Sequence, residues 1–280
     1  MIKTTPDMML SRSVFRSRRG GAPNITPWVR PTDWPEIIAP LPTEQRFVGL
    51  HTVFPNDDNF VALSASGDYT VDWGDGLVQN FAAGAVAERT FDFNDAGLSA
   101  ATSRGYRCTV ISVTPQAGHD LTALDLHLRH SQPELGQYQS GFLDIALAGP
   151  LLTQLHIGTQ ASGIMWENPI VFGNLERINV VRCNVANWSF AFLGCTKLQS
   201  VVSIDTAAGT NFAGVFASCN SLQTVPLFNT AAGADFAGMF SDCSSLQTVP
   251  LFNTAAGTNF AGMFSRCSSL QTVPLFNTVS

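Results

Sequence analysis

Charged side chains are scarce in this chain. Only 13% of its 280 residues are Asp, Glu, Lys or Arg, roughly half the usual share. The formal net charge of −6 disfavours nucleic acid as a partner for the body of the protein. No apolar run reaches the roughly 18 residues that a transmembrane helix needs, so membrane insertion is not expected. The first residues also lack the apolar core of a classical secretion signal, so any export would use another route.

The usual spacings of metal ligands are missing as well. The chain has six cysteines and five histidines, but no Cys-x-x-Cys pair and no paired histidines. Four cysteines recur every 24 residues: Cys195, Cys219, Cys243 and Cys267. They allow a metal or redox ladder, or a column of small buried apolar side chains, and the second interpretation is favoured. We therefore expect no metal and no cofactor.

What the chain does contain is a repeat. The segments 212–230, 236–254 and 260–278 are nearly identical, with a period of 24 residues. Weaker copies precede them, because leucines that begin an apolar line recur at intervals of 23, 23, 24, 24 and 24 residues from Leu152 onward. A fixed period in this range is typical of stacked repeats that cover each other's apolar faces. The repeats therefore predict a solenoid over residues 117–280, with 117–150 as a capping junction.

Each repeat is predicted to hold two elements. A short strand is indicated by the apolar spacing Leu222-x-x-Val225-x-Leu227. A short helix is indicated by apolar residues at i, i+3, i+4 and i+7, and an Asn or Asp stands before each one as a candidate cap. The helix residues are Phe236, Met239, Phe240 and Cys243, and the caps are Asn211, Asp235 and Asn259. Equivalent residues should stack, so Phe216, Phe240 and Phe264 are expected in one column.

The N-terminal residues 1–45 are predicted to form an extended basic arm. Glycines and prolines break any helix, and arginines outnumber acids in its first half. A solvated flexible tail and a docking arm are both open, but large aromatics favour docking, either on the next domain or on a partner. The candidate attachment residues are Arg12, Arg16, Arg18, Arg19, Trp28 and Trp34.

Residues 46–116 are predicted to form a small β domain. Short runs rich in β-branched and aromatic residues alternate with Gly, Asn and Asp clusters, which is typical of an antiparallel sandwich. A turn motif stands between two of them: Asp72, Trp73, Gly74, Asp75 and Gly76. The glycines permit left-handed backbone angles and Asp75 can close an Asx-type turn. Asp72 and Asp75 could also form a metal site or an acid–base pair, but two carboxylates are too few for a calcium cage.

Two resemblances follow from these motifs. The Trp-Gly-Asp-Gly turn at Trp73, with the later Thr90-Phe91 and 106–113 segments, resembles polycystic-kidney-disease-type (PKD-type) immunoglobulin-like domains; Thr90, preceded by Arg89, stands where that family commonly has histidine. Met-Phe-x-x-Cys-x-Ser-Leu at Met239 and Met263 resembles the BspA-like leucine-rich-repeat surface proteins. Together they imply a mainly β fold with short helices: an arm, a PKD-type β-sandwich and a leucine-rich-repeat solenoid.

A PKD-type domain before such repeats, behind a short arm, resembles tail-fibre and adhesin-like proteins of tailed bacteriophages. That family implies a structural virion protein, commonly a homotrimer, attached to tail or baseplate proteins by its arm and recognising a host-surface glycan or protein. A bacterial cell-surface adhesin is the alternative. A glycan-active enzyme is disfavoured, because no nucleophile elbow or carboxylate pair stands in a cleft motif. Three histidines near the capping junction, His127, His130 and His156, are interpreted as polar strand residues.

The surface predicted to act is the polar side of the repeats. Between core positions the perfect repeats place amides and hydroxyls that could pair along the stack or face a sugar polymer or a protein. The candidate binding face consists of Gln223, Thr224, Gln247, Thr248, Gln271 and Thr272. Because few charges stand nearby, this face suits neither nucleic acid nor an acidic membrane.

Overall fold

The protein is mainly β, as the sequence predicts. Its structure is a computed structural model that describes residues 23–55, 59–128, 130–131, 140–157 and 172–276. Within these ranges there are eleven strands in two sheets, and no helix. The strands are β1 Arg46–Val53, β2 Asn59–Ala65, β3 Tyr69–Asp72, β4 Val78–Phe81, β5 Ala87–Phe91, β6 Arg107–Pro115, β7 Ala123–Asp125, β8 Phe142–Ala148, β9 Gln154–His156, β10 Arg177–Arg182 and β11 Ser200–Ile204.

The larger sheet has seven strands in the order β11-β10-β8-β1-β6-β3-β4. From β8 to β4 neighbouring strands are antiparallel, whereas β8, β10 and β11 are parallel. Since β1 pairs with both β6 and β8, this one sheet continues from the predicted β domain into the predicted capping junction and the first repeats. The smaller sheet has the order β5-β2-β7-β9.

The main core lies between the two sheets. Phe47 and Ile111 of the large sheet belong to the same apolar cluster as Leu63 and Phe91 of the small one. The cluster continues through Phe172 into the repeats without interruption. Period-2 alternation along the strands explains the arrangement, because successive residues of a strand face opposite sides of the sheet.

The opposite face of the large sheet is covered by the chain's own N-terminal segment. Val48, Leu50, Cys108 and Ala146 form a second apolar cluster there with Trp34 and Ile37. Residues 24–37, called the strap below, therefore run across the outer face of the sheet. The strap is the part of the predicted arm that covers this face; at the end of the same arm, the side chain of Gln45 also bonds Asp120 and Leu121.

Stacking of equivalent residues in the repeats is confirmed. The ring centroids of Phe216 and Phe240 lie 5.6 Å apart and those of Phe240 and Phe264 lie 5.7 Å apart, with nearly parallel planes. A second column, formed by Phe212, Phe236 and Phe260, has spacings of 5.5 and 5.3 Å. These distances suit offset-stacked aromatic rings and place one repeat directly on the next.

The predicted short helices are wrong. The segment 212–219 forms consecutive turns in which successive backbone N–H groups alternate between two kinds of acceptor. Those of Phe212, Gly214 and Phe216 donate to carbonyls one repeat further on, at 2.8–2.9 Å, whereas those of Val215 and Ala217 donate to the carbonyl three residues back. Gly214 and Ser218 also have left-handed φ angles of 58° and 60°, which an α-helix excludes. The i, i+3, i+4, i+7 pattern therefore indicates that one side of the segment packs in the core, and it does not indicate a helix.

The predicted caps nonetheless have a local role. The side chain of Asn211 accepts the N–H of Ala213 at 3.0 Å, and that of Asp235 accepts the N–H of Ala237 at 2.9 Å. These are Asx-type turns, which begin each stacked segment without starting a helix.

The predicted strand line is also only partly right. Leu222 and Val225 are buried, but Leu227 is 67% exposed and Phe228 occupies the core instead. No strand is assigned to residues 222–230. Pro226 lacks the N–H that a strand in a ladder donates, and equivalent prolines stand in the next two repeats. The last described strand is accordingly β11, before the perfect repeats begin.

Candidate functional site: a glutamine column under the strap

One polar column runs the length of the repeats. Its members occupy equivalent positions in successive repeats: Glu176, Gln199, Gln223, Gln247 and Gln271. The backbone N–H of Gln199 donates to the carbonyl of Glu176 at 3.0 Å, and that of Gln247 donates to Gln223 at 2.9 Å. The Gln247 side-chain amide also donates to the Gln223 side chain at 3.5 Å. We call these five residues the glutamine column.

The strap lies on this column and runs against its direction. The side-chain amide of Gln247 donates to the backbone carbonyl of Asn24 at 3.0 Å. The backbone N–H of Thr26 donates to Oε1 of Gln223 at 2.9 Å. Further along the strap, the indole N–H of Trp28 donates to Oε2 of Glu176 at 3.2 Å. Three successive contacts therefore join the strap to three members of the column.

An ion pair anchors the strap beyond the column. A β-bulge makes Leu143 an extra residue, since Leu50 pairs with Asp144 and His51 with Phe142. Asp144 therefore shares the outer face with Leu50. Its carboxylate is fully buried and accepts Nε of Arg30 at 3.1 Å and an amino group of Arg177 at 2.8 Å.

Glu176 has a similar environment. Its side chain is only 5% exposed and forms an ion pair with Arg104, while its second oxygen accepts the Trp28 indole. Hydrogen bonding to Glu176 raises the pKa of Arg104 above its ordinary value. The strap thus crosses two buried carboxylates, each paired with an arginine of the body.

Trp34 fixes the strap to the sheet. It is 4% exposed, and its indole N–H donates to the hydroxyl of Tyr106 at 3.0 Å. The Arg104 guanidinium lies 5.4 Å above its ring, and the Trp28 ring centroid is 6.1 Å away. Burial raises the pKa of Tyr106, so the phenol stays protonated and available to the indole. Of the two open interpretations for these tryptophans, the structure places Trp34 against the chain itself.

The remaining predicted attachment residues, Arg12, Arg16, Arg18 and Arg19, lie outside the described residues. Of the candidate binding face, Gln223 and Gln247 contact the strap. Thr224 and Thr248 are half-buried beside them, and Gln271 and Thr272 are exposed at the far end of the column. Sequence reasoning found Gln223, Gln247 and Gln271 through their period. It missed Gln199, which precedes the perfect repeats, and Glu176, whose carboxylate breaks the amide pattern.

The turn motif is a local structural device. Oδ1 of Asp72 accepts the N–H of Gly74 at 2.9 Å, and Oδ1 of Asp75 accepts the N–H of Leu77 at 3.0 Å, which confirms the Asx-type turn at Asp75. Gly74 has a φ of +75°, and an added Cβ there would lie 2.3 Å from the carbonyl oxygen of Val110. Trp73 is fully buried and donates to Gln79 at 2.8 Å.

Asp75 also forms an ion pair with Arg89. Arg89 precedes Thr90, where the PKD-type resemblance departs from its family. The two carboxylates of the motif are thus committed to backbone N–H groups and to an arginine.

The cysteine column is buried except for the partly exposed Cys267, and three of its thiols are hydrogen-bonded. The thiols of Cys219, Cys243 and Cys267 donate to phenylalanine carbonyls at 3.2, 3.0 and 2.9 Å, respectively. Burial raises the pKa of Cys243 to about 12 and that of Cys267 to about 11, so these thiols are poor nucleophiles. Among the described residues, no three His, Cys, Asp or Glu side chains are grouped to hold a metal ion.

A separate cavity of about 450 Å³ lies at the small sheet. Ser64 pairs with Asp125 and Asp125 pairs with His156, so the three residues form one row across β2, β7 and β9. The carboxylate of Asp125 contacts Nδ1 of His156 at 3.1 Å, which raises the pKa of that histidine. In this row the carboxylate stands between serine and histidine, whereas a hydrolytic triad needs histidine in the middle.

Comparison with known families places one resemblance on the repeats. A family profile described as "Mycoplasma protein of unknown function, DUF285" matches residues 171–278. No curated protein and no solved structure matches the chain. The matched range holds the whole glutamine column and none of the strap, so the likeness concerns the repeats alone.

The described part of the chain contains no helix with the length and apolarity to cross a membrane.

Proposed function

We propose that this protein is a structural recognition protein that acts by contact and not by catalysis. The supporting observation is the stacked repeat region, in which phenylalanine columns hold successive repeats 5.3–5.7 Å apart. Such a stack is stiff, because each repeat is buried by its neighbours. Its polar side carries amides and hydroxyls with few charges, which suits contact with a neutral glycan or a protein surface.

The finer fold assignment is part of this proposal. Residues 46–116 are proposed to be a PKD-type sandwich, supported by the buried Trp73 and the two Asx-type turns around it. Residues 117–280 are proposed to be a BspA-like solenoid, supported by the 24-residue stacking. The absence of strands in residues 222–230 makes this region differ from a regular leucine-rich repeat.

For the setting, we propose the tail of a bacteriophage particle, as a tail-fibre or baseplate-associated protein that is commonly trimeric. The attachment role falls on residues 1–23, because the strap from Asn24 onward is engaged with the body of the same chain. A bacterial cell-surface adhesin remains the alternative, and the family likeness over residues 171–278 is compatible with both settings.

The two settings make different predictions about location. Antibodies raised against the purified chain should label the tails of purified virions in immuno-electron microscopy, and mass spectrometry of the same particles should recover its peptides. Labelling of intact uninfected bacteria would support the adhesin instead. If the antibody labels neither particle nor cell surface, both versions of the proposal are wrong.

A further inference from the structure

The strap contacts the glutamine column mainly through its backbone. Gln247 donates to the carbonyl of Asn24 and Gln223 accepts the N–H of Thr26. These side-chain amides therefore bind the backbone of the strap and not its side chains. A primary amide offers both a donor and an acceptor, and an extended chain presents both kinds of group. Any extended polypeptide can make the same pair of contacts, provided that the residue two positions after the bound carbonyl has a free N–H.

Side-chain contacts then select which polypeptide fits. Downstream of the backbone contacts, the strap presents Trp28 to Glu176 and Arg30 to Asp144. The column with its two carboxylates therefore favours an extended segment that carries a tryptophan, whose indole N–H can donate, followed two positions later by arginine. Within the described residues this pattern occurs only in the strap, at Trp28 and Arg30, and every copy of the chain carries it.

The buried carboxylates do not depend on the strap alone. When Arg30 leaves, Asp144 keeps Arg177, and when Trp28 leaves, Glu176 keeps Arg104. An unpaired buried charge is the main cost of breaking such contacts, and here the body of the protein avoids it. The strap contacts at Asn24 and Thr26 lie on the exposed surface, so release of this part uncovers little apolar area.

The glutamine column also extends beyond the residues that the strap contacts. Gln271 continues the backbone contacts, donating to the carbonyl of Gln247 at 3.2 Å, but its side chain is exposed and makes no hydrogen bond within the described residues. It is a chemically equivalent position that the described strap does not reach.

We propose that the glutamine column is a docking track for an extended peptide backbone, and that a second copy of the chain can supply its strap in place of the chain's own. Exchange of an identical segment preserves every contact and is a low-cost route to oligomers. This proposal rests on the contacts between strap and column, and not on the virion setting.

The test uses full-length variants and a labelled synthetic peptide of residues 23–38. The acceptor variant Thr26→Pro/Trp28→Ala removes the strap's donor to Gln223 and its indole contact with Glu176, which weakens the hold of the chain's own strap on the column. Fluorescence anisotropy should show the peptide binding this acceptor at least about tenfold more tightly than the wild type, whose own strap competes. Circular dichroism and thermal melting confirm that each variant is folded.

The column provides its own matched control. Adding Gln223→Ala/Gln247→Ala to the acceptor should weaken peptide binding by about tenfold, since two hydrogen bonds are lost. Adding Gln271→Ala, the same change one repeat further on, should leave it unchanged. Equal binding to all three variants, or none to the acceptor, would show that the column is not a peptide track.

Exchange between copies needs a second mixture. A donor chain with Gln223→Ala/Gln247→Ala has an intact strap but lacks the two column amides that contact it. Mixed with the acceptor chain, it should form a new, larger species in sedimentation velocity that neither chain forms alone. If the peptide binds the acceptor but the two chains stay separate, the second copy is excluded as the source of the strap.

Discussion

The two halves of the molecule build their cores in different ways. In the N-terminal half, residues 46–157, strands pair through ladders and each core contact is unique, such as the edge-on packing of Phe47 against Phe142. In the repeat half, residues 172–276, one contact recurs every 24 residues and the backbone bonds run from repeat to repeat. In the first half, the burial of a side chain depends on its particular contacts across the two sheets. In the second half, it depends on whether another repeat packs on its own repeat.

This difference is visible within a single column of the repeats. Phe216 and Phe240 are fully buried, whereas the equivalent Phe264 is only half-buried because no described repeat covers it. Chemically identical positions thus have different environments, and the stabilising effect of a side chain depends on its place in the stack.

The largest effect should come from breaking the middle of that column. Phe240→Ala should lower the free energy of unfolding by about 3–5 kcal/mol, because it removes a ring packed on both faces and leaves a cavity. Phe264→Ala, the matched change in the last described repeat, should cost less than half as much. Denaturant unfolding monitored by circular dichroism measures both. Equal losses would mean that the last repeat is covered as fully as the others.

The ion pairs sharpen the same comparison. Asp144 in β8 is fully buried between two arginines, whereas Asp242 in the repeats pairs with Arg266 on the surface at 2.9 Å. Asp144→Ala should lower the free energy of unfolding by up to about 3–5 kcal/mol, since it leaves Arg30 and Arg177 unpaired where each is mostly buried. Asp242→Asn, which removes the charge but suits the left-handed φ of 61° at that position, should produce no measurable change, as is usual for exposed pairs. The two variants are compared in the same unfolding assay.

A pH effect is expected from the N-terminal half. His51 in β1 is 1% exposed, lies against Phe142 and Phe91, and its ring nitrogens make no hydrogen bond within the described residues. Burial lowers the pKa of His51 to about 3. Below pH 6.5 His51 therefore binds a proton in the unfolded chain but not in the folded chain. The free energy of unfolding falls as pH falls, by about 1.4 kcal/mol per pH unit.

Unfolding titrations between pH 5 and 6.5 test this slope, because carboxylates titrate mostly below that window. Burial also lowers the pKa of His130, which acts in the same direction. The pKa of His156 is raised, so its contribution to the slope has the opposite sign and fades as pH falls below 6.5. His51→Phe keeps an aromatic ring and should flatten the profile. An unchanged slope in this variant would assign the effect to other groups.

The sequence predicted the repeats better than their backbone. Periodicity alone identified the columns of Phe216, Phe240 and Phe264, because equivalent residues must stack when each unit has an unsatisfied apolar side. It could not distinguish a helix from consecutive turns, since both place i, i+3, i+4 and i+7 on one side. The distinction depends on where the N–H groups donate, and those acceptors lie one repeat away. The position of Leu227 was wrong for a related reason, because Pro226 interrupts the alternation.

The candidate site was predicted only in part. The glutamines stood out by their period, and Trp28 and Trp34 by their size, but nothing local connected the two groups. Their contacts span up to 223 positions along the chain, between Asn24 and Gln247. The buried pairs of Asp144 and Glu176 were equally hidden, because a single carboxylate within a strand pattern usually indicates a solvent-exposed side.

The smallest effect compares two glycines at equivalent positions of successive repeats. Gly214 and Gly238 have left-handed φ angles of 58° and 60°, but their surroundings differ. A Cβ on Gly214 would lie 2.5 Å from the ring of Phe190, whereas a Cβ on Gly238 would meet nothing closer than 3.7 Å. Gly238→Ala should therefore cost only the backbone strain, about 1 kcal/mol, and Gly214→Ala more than that.

The reason for the difference is the change of sequence at the start of the perfect repeats. Phe190 stands in the place that glycine occupies in the later repeats, and it has a left-handed φ of 57° itself. Its ring covers Gly214 in the next repeat. Replacing Phe190 with glycine should remove the clash, so that Gly214→Ala in the Phe190→Gly background costs the same as Gly238→Ala. Thermal melting of the two single variants and the double variant tests this, and a persistent excess cost at Gly214 would mean that the neighbouring ring is not its cause.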